Sequence, residues 1–119
     1  MSSMVLLVED NEDLRRDLAF LIKHYGFEVE TARHGKEALE KLNDLGPPCL
    51  IILDLMMPVM DGWELRAKLL EDVTLAKVPV VLLSGVADLR NEASSLEAIA
   101  YLAKPVDLQK LCRIIQAHC

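Results

Sequence analysis

The sequence predicts an α/β fold, a doubly wound parallel sheet of five strands with five helices on its two faces. Two observations predict it. Short strand-like runs at 4–8, 27–31, 49–54, 78–83 and 98–103 alternate with segments whose apolar residues fall at helical spacing. Turn or capping residues sit at the exchanges between them. Unbroken apolar runs are the signature of strands buried on both faces, and a strict β-then-α order calls for parallel pairing through right-handed crossovers.

The elements follow in order. Met4 to Val8 is an apolar strand. Asn11 can cap the next helix, whose Leu14, Leu18, Leu21, Ile22 and Tyr25 share one face, and Gly26 ends it. Phe27 to Thr31 alternates apolar and charged residues, as a half-buried edge strand does. Ala38, Leu39, Leu42 and Leu45 mark a second helix, and Gly46-Pro47-Pro48 breaks the chain before the strand that ends at Asp54. A third helix runs from about Trp63 to Leu70. Val78 to Leu83 is a fourth strand, with Pro79 tolerable near its start. Asp88 to about Leu96 is a weaker helix rich in Ser and Ala. Ala98 to Ala103 is a fifth strand, and Leu108, Leu111, Cys112 and Ile115 mark the last helix.

Composition narrows the function. At 119 residues, with 52% hydrophobic and 27% charged residues, the chain reads as one domain spanning 1–119 with an aliphatic core. A net charge of −6 argues against direct binding to nucleic acid or an anionic membrane. No apolar stretch approaches the roughly 20 residues that a bilayer span needs, and the first residues lack the parts of a signal peptide. Three cysteines form an odd count without metal-type spacing. Cys49 and Cys112 read as small core fillers and Cys119 as an exposed, oxidisable terminus. This usage fits a reducing, cytoplasmic compartment. His24, His34 and His118 read as scattered surface residues.

The residues that carry chemistry gather at the strand exits, the rim where open α/β sheets place their sites. Strand one delivers Glu9 and Asp10, strand three Asp54, strand four Ser84, and strand five Lys104 ahead of Pro105. Singly, each reads as a cap or a solvated charge. Together, three carboxylates on one rim repel unless a cation sits among them. The set fits phosphoryl transfer. A carboxylate can be the nucleophile, magnesium takes a few protein oxygens and keeps its waters, lysine supplies a point charge, and a serine hydroxyl can donate to the transferred group.

These residues resemble the receiver domain of two-component response regulators. The resemblance covers essentially the whole chain. It rests on Val5-Leu6-Leu7-Val8-Glu9-Asp10-Asn11, on Asp54 with Met57-Pro58 and Asp61-Gly62 behind it, on Ser84, and on Lys104-Pro105. It implies a flavodoxin-like strand order 2-1-3-4-5. It implies that Asp54 accepts the phosphoryl group and that Glu9, Asp10, Asp54 and the backbone carbonyl of Met56 hold Mg2+. It implies that Lys104 contacts the phosphoryl group, that Ser84 and Tyr101 switch together, and that Lys104-Pro105 is cis.

The implied partners are a histidine kinase or histidine phosphotransfer domain upstream and a protein target or fused output domain downstream. A phosphorylation-dependent dimer is a further state open to such a domain. The protein would be no conventional enzyme, although its own groups would catalyse its phosphorylation and autodephosphorylation. Three positions depart from the commonest pattern: Ser84 where threonine is frequent, Gly85 where alanine is frequent, and Glu97 at a turn position often held by glycine, which would shape the approach to strand five differently. Met57 and Met60 read as packing residues, Pro58 and Gly62 as loop formers, and Trp63 as a partly exposed aromatic open to a partner.

Two other readings compete. A receiver-like module that only binds proteins would need its acidic groups missing, and they are present. A flavin binder would need a phosphate-cradling glycine loop, and Gly26, Gly35, Gly46, Gly62 and Gly85 lie far apart.

Overall fold

The computed structural model describes residues 4–85 and 89–119. Its strands are β1 (Met4–Val8), β2 (Glu28–Ala32), β3 (Leu50–Asp54), β4 (Val80–Ser84) and β5 (Ala100–Ala103). Its helices are α1 (Glu12–His24), α2 (Gly35–Leu45), α3 (Gly62–Glu71), α4 (Leu89–Ser95) and α5 (Leu108–His118). All pairings are parallel and the strand order is 2-1-3-4-5, as expected. An unexpected 3-10 turn, Leu75–Lys77, leads into β4. The expected start of the fourth helix at Asp88 lies outside the described residues.

The period-2 pleat explains why helices cover both faces. Leu6, Val8, Ile51, Leu53, Val80 and Leu82 point to one side, against Ala38 and Leu42 of α2, Leu65 and Leu69 of α3, and Leu89 and Ala93 of α4. Their alternates Val5, Leu7, Leu50, Ile52, Val81 and Leu83 point to the other side, against Leu18 and Ile22 of α1 and Leu111 and Ile115 of α5. A strand apolar at every position therefore serves two cores at once. β2, with its alternating charges, takes an edge.

Helix starts are fixed by side-chain caps. Asn11, Asp61 and Asp107 accept from the amides of Leu14, Glu64 and Lys110, and His34 Nδ1 accepts from Glu37 N. His34 is thus a cap rather than a plain surface residue.

The expectation for the cysteines is corrected. The cysteines are not three separate thiols: Cys49, ahead of β3, is disulfide-bonded to Cys119 at the end of α5, with Cα atoms 5.5 Å apart. Cys49 is therefore no mere core filler, and the reducing compartment inferred from unpaired thiols loses that support. Cys112 remains a buried free thiol, as expected, its pKa raised by burial. The bridge spans 70 residues of chain. Cutting it with Cys119→Ser is expected to lower the unfolding free energy by about 2–4 kcal/mol, through added unfolded-state entropy. Urea titrations with and without dithiothreitol check this: the wild type should shift on reduction and the variant should not.

Glu97 takes φ 55°, the left-handed conformation that glycine favours, so a side chain stands strained in the turn ahead of β5. Glu97→Gly is expected to raise stability by about 1 kcal/mol, read as a higher urea midpoint with an unchanged slope.

Candidate functional site

Parallel register brings the strand exits level. Val8 pairs with Leu53, Asp54 with Leu83, and Ser84 with Ala103. Residues at these ends or just past them therefore share one rim. Glu9 extends β1, its amide donating to Ala32 O at 3.0 Å, and its side chain is fully buried. Asn11, the cap of α1, donates its amide to Glu9 Oε2 at 3.2 Å. Asp54, the last residue of β3, is 2% exposed and accepts from the Met56 amide at Oδ1, 3.3 Å.

Lys104 reaches across from the exit of β5. Its Nζ lies 3.3 Å from Asp54 Oδ2 and 2.7 Å from Glu9 Oε1. The Glu9 contact is the shorter of the two ion pairs, and the buried Oε1 has no further hydrogen-bond donor among the described residues. Oxygens of Glu9, Asp10 and Asp54 all lie within 4.8 Å of one another. Three carboxylates and one ammonium sum to −2, the charge that a divalent ion neutralises. The donors are hard oxygens, and Asp10 is exposed, so retained waters have room. The residues fit a metal ion such as magnesium.

The electrostatics show what a cation would change. Asp54 is pushed up to about 7, first by burial and then by its bond to and charge from Glu9, with Lys104 and the Met56 amide pulling the other way. Burial pulls Lys104 down, but Glu9 and Asp54 outweigh it and its pKa is raised. A carboxyl that titrates near 7 in a metal-free site holds a proton that a cation can displace, which frees the nucleophile.

The model of the response regulator receiver domain matches residues 5–116. The chain belongs to this family. The receiver domain is similar to protein PilG of Pseudomonas aeruginosa, 33% identical over 116 residues that make up 96% of this chain and 85% of that one. It is also similar to histidine kinase P4 of Formosa agariphila, 39% identical over 110 residues, 91% of this chain but only 8% of the kinase. Among solved structures, a response regulator receiver protein from Pseudomonas putida superposes with a TM-score of 0.90 at 28% identity, over 98% of both chains. Chemotaxis protein CheY4 of Vibrio cholerae does so with a TM-score of 0.88 at 28% identity, over all of both chains. The chain is thus a receiver domain of two-component systems, a signal-transduction family.

The structure brings together Glu9, Asp10, Asp54 and Lys104. Ser84 is fully buried at the adjoining exit of β4, where its carbonyl accepts from the Lys104 amide. Tyr101 lies on β5 with 42% of its surface exposed, so it is not a core residue. Lys104-Pro105 is cis, as the family resemblance implied. Met57 and Met60 pack against the core, and Met56 projects outward. Gly62 is required by a close approach: a Cβ there would lie 2.6 Å from Asp54 O and 2.7 Å from Leu55 Cα.

Three residues escaped sequence reasoning. Arg15 Nη1 donates to the carbonyls of Glu9 (3.0 Å) and Asp10 (3.3 Å), steadying the loop that presents the acidic pair. A basic residue near a helix N-terminus, where acids are favoured, was the available signal. Arg66 is buried, and its spacing from Gly62 and Leu69 places a cation in the inward stripe of α3. Glu92 gave no signal at all. Trp63 is partly exposed, as expected; the rest of it packs against the core, and its indole N–H donates to Glu92 of α4 at 2.6 Å.

Proposed function

We propose that Asp54 is the phosphoacceptor of this receiver domain, with a phosphohistidine as donor. One observation carries the reading: at the exits of β1, β3 and β5, two buried carboxylates and one exposed carboxylate have oxygens within 4.8 Å of one another, and an ammonium pairs with the two buried ones. An Asp54 carboxylate oxygen attacks phosphorus as the phosphorus–nitrogen bond of the donor imidazole breaks. The electron pair returns to that nitrogen, and the phosphoryl group is left as a mixed anhydride on Asp54.

Glu9, Asp10, Asp54 and the Met56 carbonyl would hold Mg2+, whose charge would offset that of the phosphoryl oxygens. Lys104 then pairs with one phosphoryl oxygen, in place of the Asp54 oxygen it now contacts. Ser84 donates its hydroxyl to another. The exposed Tyr101 turns inward behind Ser84, and the face formed by α4, β5 and α5 changes its partners. The same groups position water for autodephosphorylation, so the domain is not a conventional enzyme.

The donor would be a histidine kinase or a histidine phosphotransfer domain. The chain spans 56% of a probable transcriptional regulator of Porphyra purpurea, ycf29, and 24% of regulatory protein AtoC of Escherichia coli. A fused output domain or a separate protein target is therefore proposed downstream, with dimerisation through α4–β5–α5 as one outcome. Direct contact with nucleic acid is not proposed, because the net charge is −6. No described helix is long and apolar enough to cross a membrane. Donors of this kind act in the cytoplasm, where we place the domain. Its cysteine bridge would be unusual there.

Acetyl phosphate tests the reading. With magnesium present, intact-mass spectra of the wild type are expected to gain one phosphoryl group, and Asp54→Asn to gain none. Equal labelling of both would overturn the assignment.

A further inference from the structure

Resting on the reading of Asp54 as phosphoacceptor, we propose that Trp63 and Arg66 of α3 are positioning residues for α4. They form a two-point clamp that holds α4 in its resting place and links it to the phosphoacceptor by a route separate from Ser84 and Tyr101.

The clamp begins at Asp54 itself. Gly62 opens α3 directly against the backbone of Asp54 and Leu55, and its amide donates to Leu55 O at 2.9 Å. Trp63 is the next residue. Its indole N–H donates to Glu92 Oε2 at 2.6 Å, a charge-assisted bond to the middle of α4. One turn further along α3, Arg66 Nε donates to Leu96 O at 2.8 Å and Nη2 to Glu97 O at 3.4 Å. Those carbonyls lie just past Ser95, the last residue of α4. They form the negative end of the helix, where a cation is stabilising.

Two features make this more than casual contact. The described part of α4 has seven residues, and isolated helices shorter than about 12–15 residues are marginal in water, so its place depends on tertiary ties. Arg66 is 3% exposed, and its Nη1 makes no hydrogen bond. The guanidinium therefore leans on the α4 carbonyls, and moving α4 away would strip a buried cation of acceptors. The clamp stabilises the resting arrangement alone, so phosphorylation must overcome it before α4 can move. Loosening it shifts the two-state balance toward the active form and lets a phosphoryl mimic bind more tightly.

Beryllofluoride with MgCl2, added to the whole chain, tests this. Fluorine NMR reports occupancy of the site, and the Trp63 indole proton reports the clamp, Trp63 being the single tryptophan. In the wild type the indole resonance is expected to move upfield as beryllofluoride binds. In Glu92→Ala it should already stand near that position. Half-saturation should fall about three- to tenfold in Glu92→Ala and in Arg66→Met, and return toward wild type in Arg66→Lys. A merely structural role would lower the urea midpoint and leave half-saturation unchanged, and that result would overturn the clamp. Glu92→Ala decides the matter alone if Arg66→Met does not fold. Absence of a bound-fluoride signal in the wild type would instead sink the phosphoacceptor reading, and the clamp with it.

Discussion

Lys104→Ala is expected to slow acetyl-phosphate labelling of Asp54 by roughly 10²–10³-fold, the usual effect of deleting one preorganised charge from a site where charge develops. The reason lies in what Lys104 joins. Its ammonium contacts Glu9 Oε1 at 2.7 Å and Asp54 Oδ2 at 3.3 Å, and both carboxylates are buried. Without it the two face each other unpaired, Asp54 holds its proton more tightly, and phosphoryl oxygens meet no cation from β5. Removing one partner of such a cluster also destabilises by about 3–5 kcal/mol in metal-free buffer, and magnesium should recover part of that. Labelling time courses at saturating magnesium, paired with urea titrations in EDTA, check both effects. Wild-type labelling by Lys104→Ala would show that the ammonium serves structure alone.

A second large effect concerns pH. Asp54 titrates at about 7 in the folded, metal-free domain against 3.8 ordinarily. Between those values the folded state binds more protons than the unfolded one. The associated stability is thus full below about pH 4 and is lost as pH rises through 7. In EDTA, the unfolding free energy should fall between pH 5 and pH 8 by a few kcal/mol, on the order of the pKa difference. Divalent ions take the place of that proton, so apparent magnesium affinity should weaken nearly tenfold for each pH unit below about 7. With saturating magnesium the pH dependence of stability should flatten. Urea titrations from pH 5 to pH 8, in EDTA and in MgCl2, give both curves. A metal-free domain equally stable across that range would show that Asp54 is not held protonated.

Much of this was legible in the sequence, for a physical reason. Buried parallel strands must be apolar throughout, so each polar residue at a strand end stands out, and the topology brings those ends to one rim. Glu9, Asp10, Asp54, Ser84 and Lys104 could be found in this way. The pairing of Lys104 with Glu9 and Asp54 was expected only as a general need for charge balance; its distances depend on the register of β3, β4 and β5. The Cys49–Cys119 bridge joins two cysteines 70 residues apart, and no spacing rule encodes that connection.

The α3–α4 contacts were illegible for another reason. Glu92 looks unremarkable on its own helix, and neither the lone Trp63 nor the cation that Arg66 puts in the inward stripe of α3 names its partner. Their meaning comes from how two helices lie over the same half of the core. At Glu97 the departure from glycine was visible, but only the backbone shows that the residue stands at φ 55°, where a side chain is strained.

The central claim is that the carboxylate at position 54 carries the phosphoryl group. Phosphorylated domain reduced with borohydride and digested gives the most direct measurement, because an acyl phosphate is reduced to an alcohol where it stood. The account requires homoserine at position 54 and unchanged aspartate at 10 in the peptide spectra, with the modification absent when magnesium is withheld. Homoserine at another position, or none in a sample whose intact mass shows phosphorylation, would contradict it.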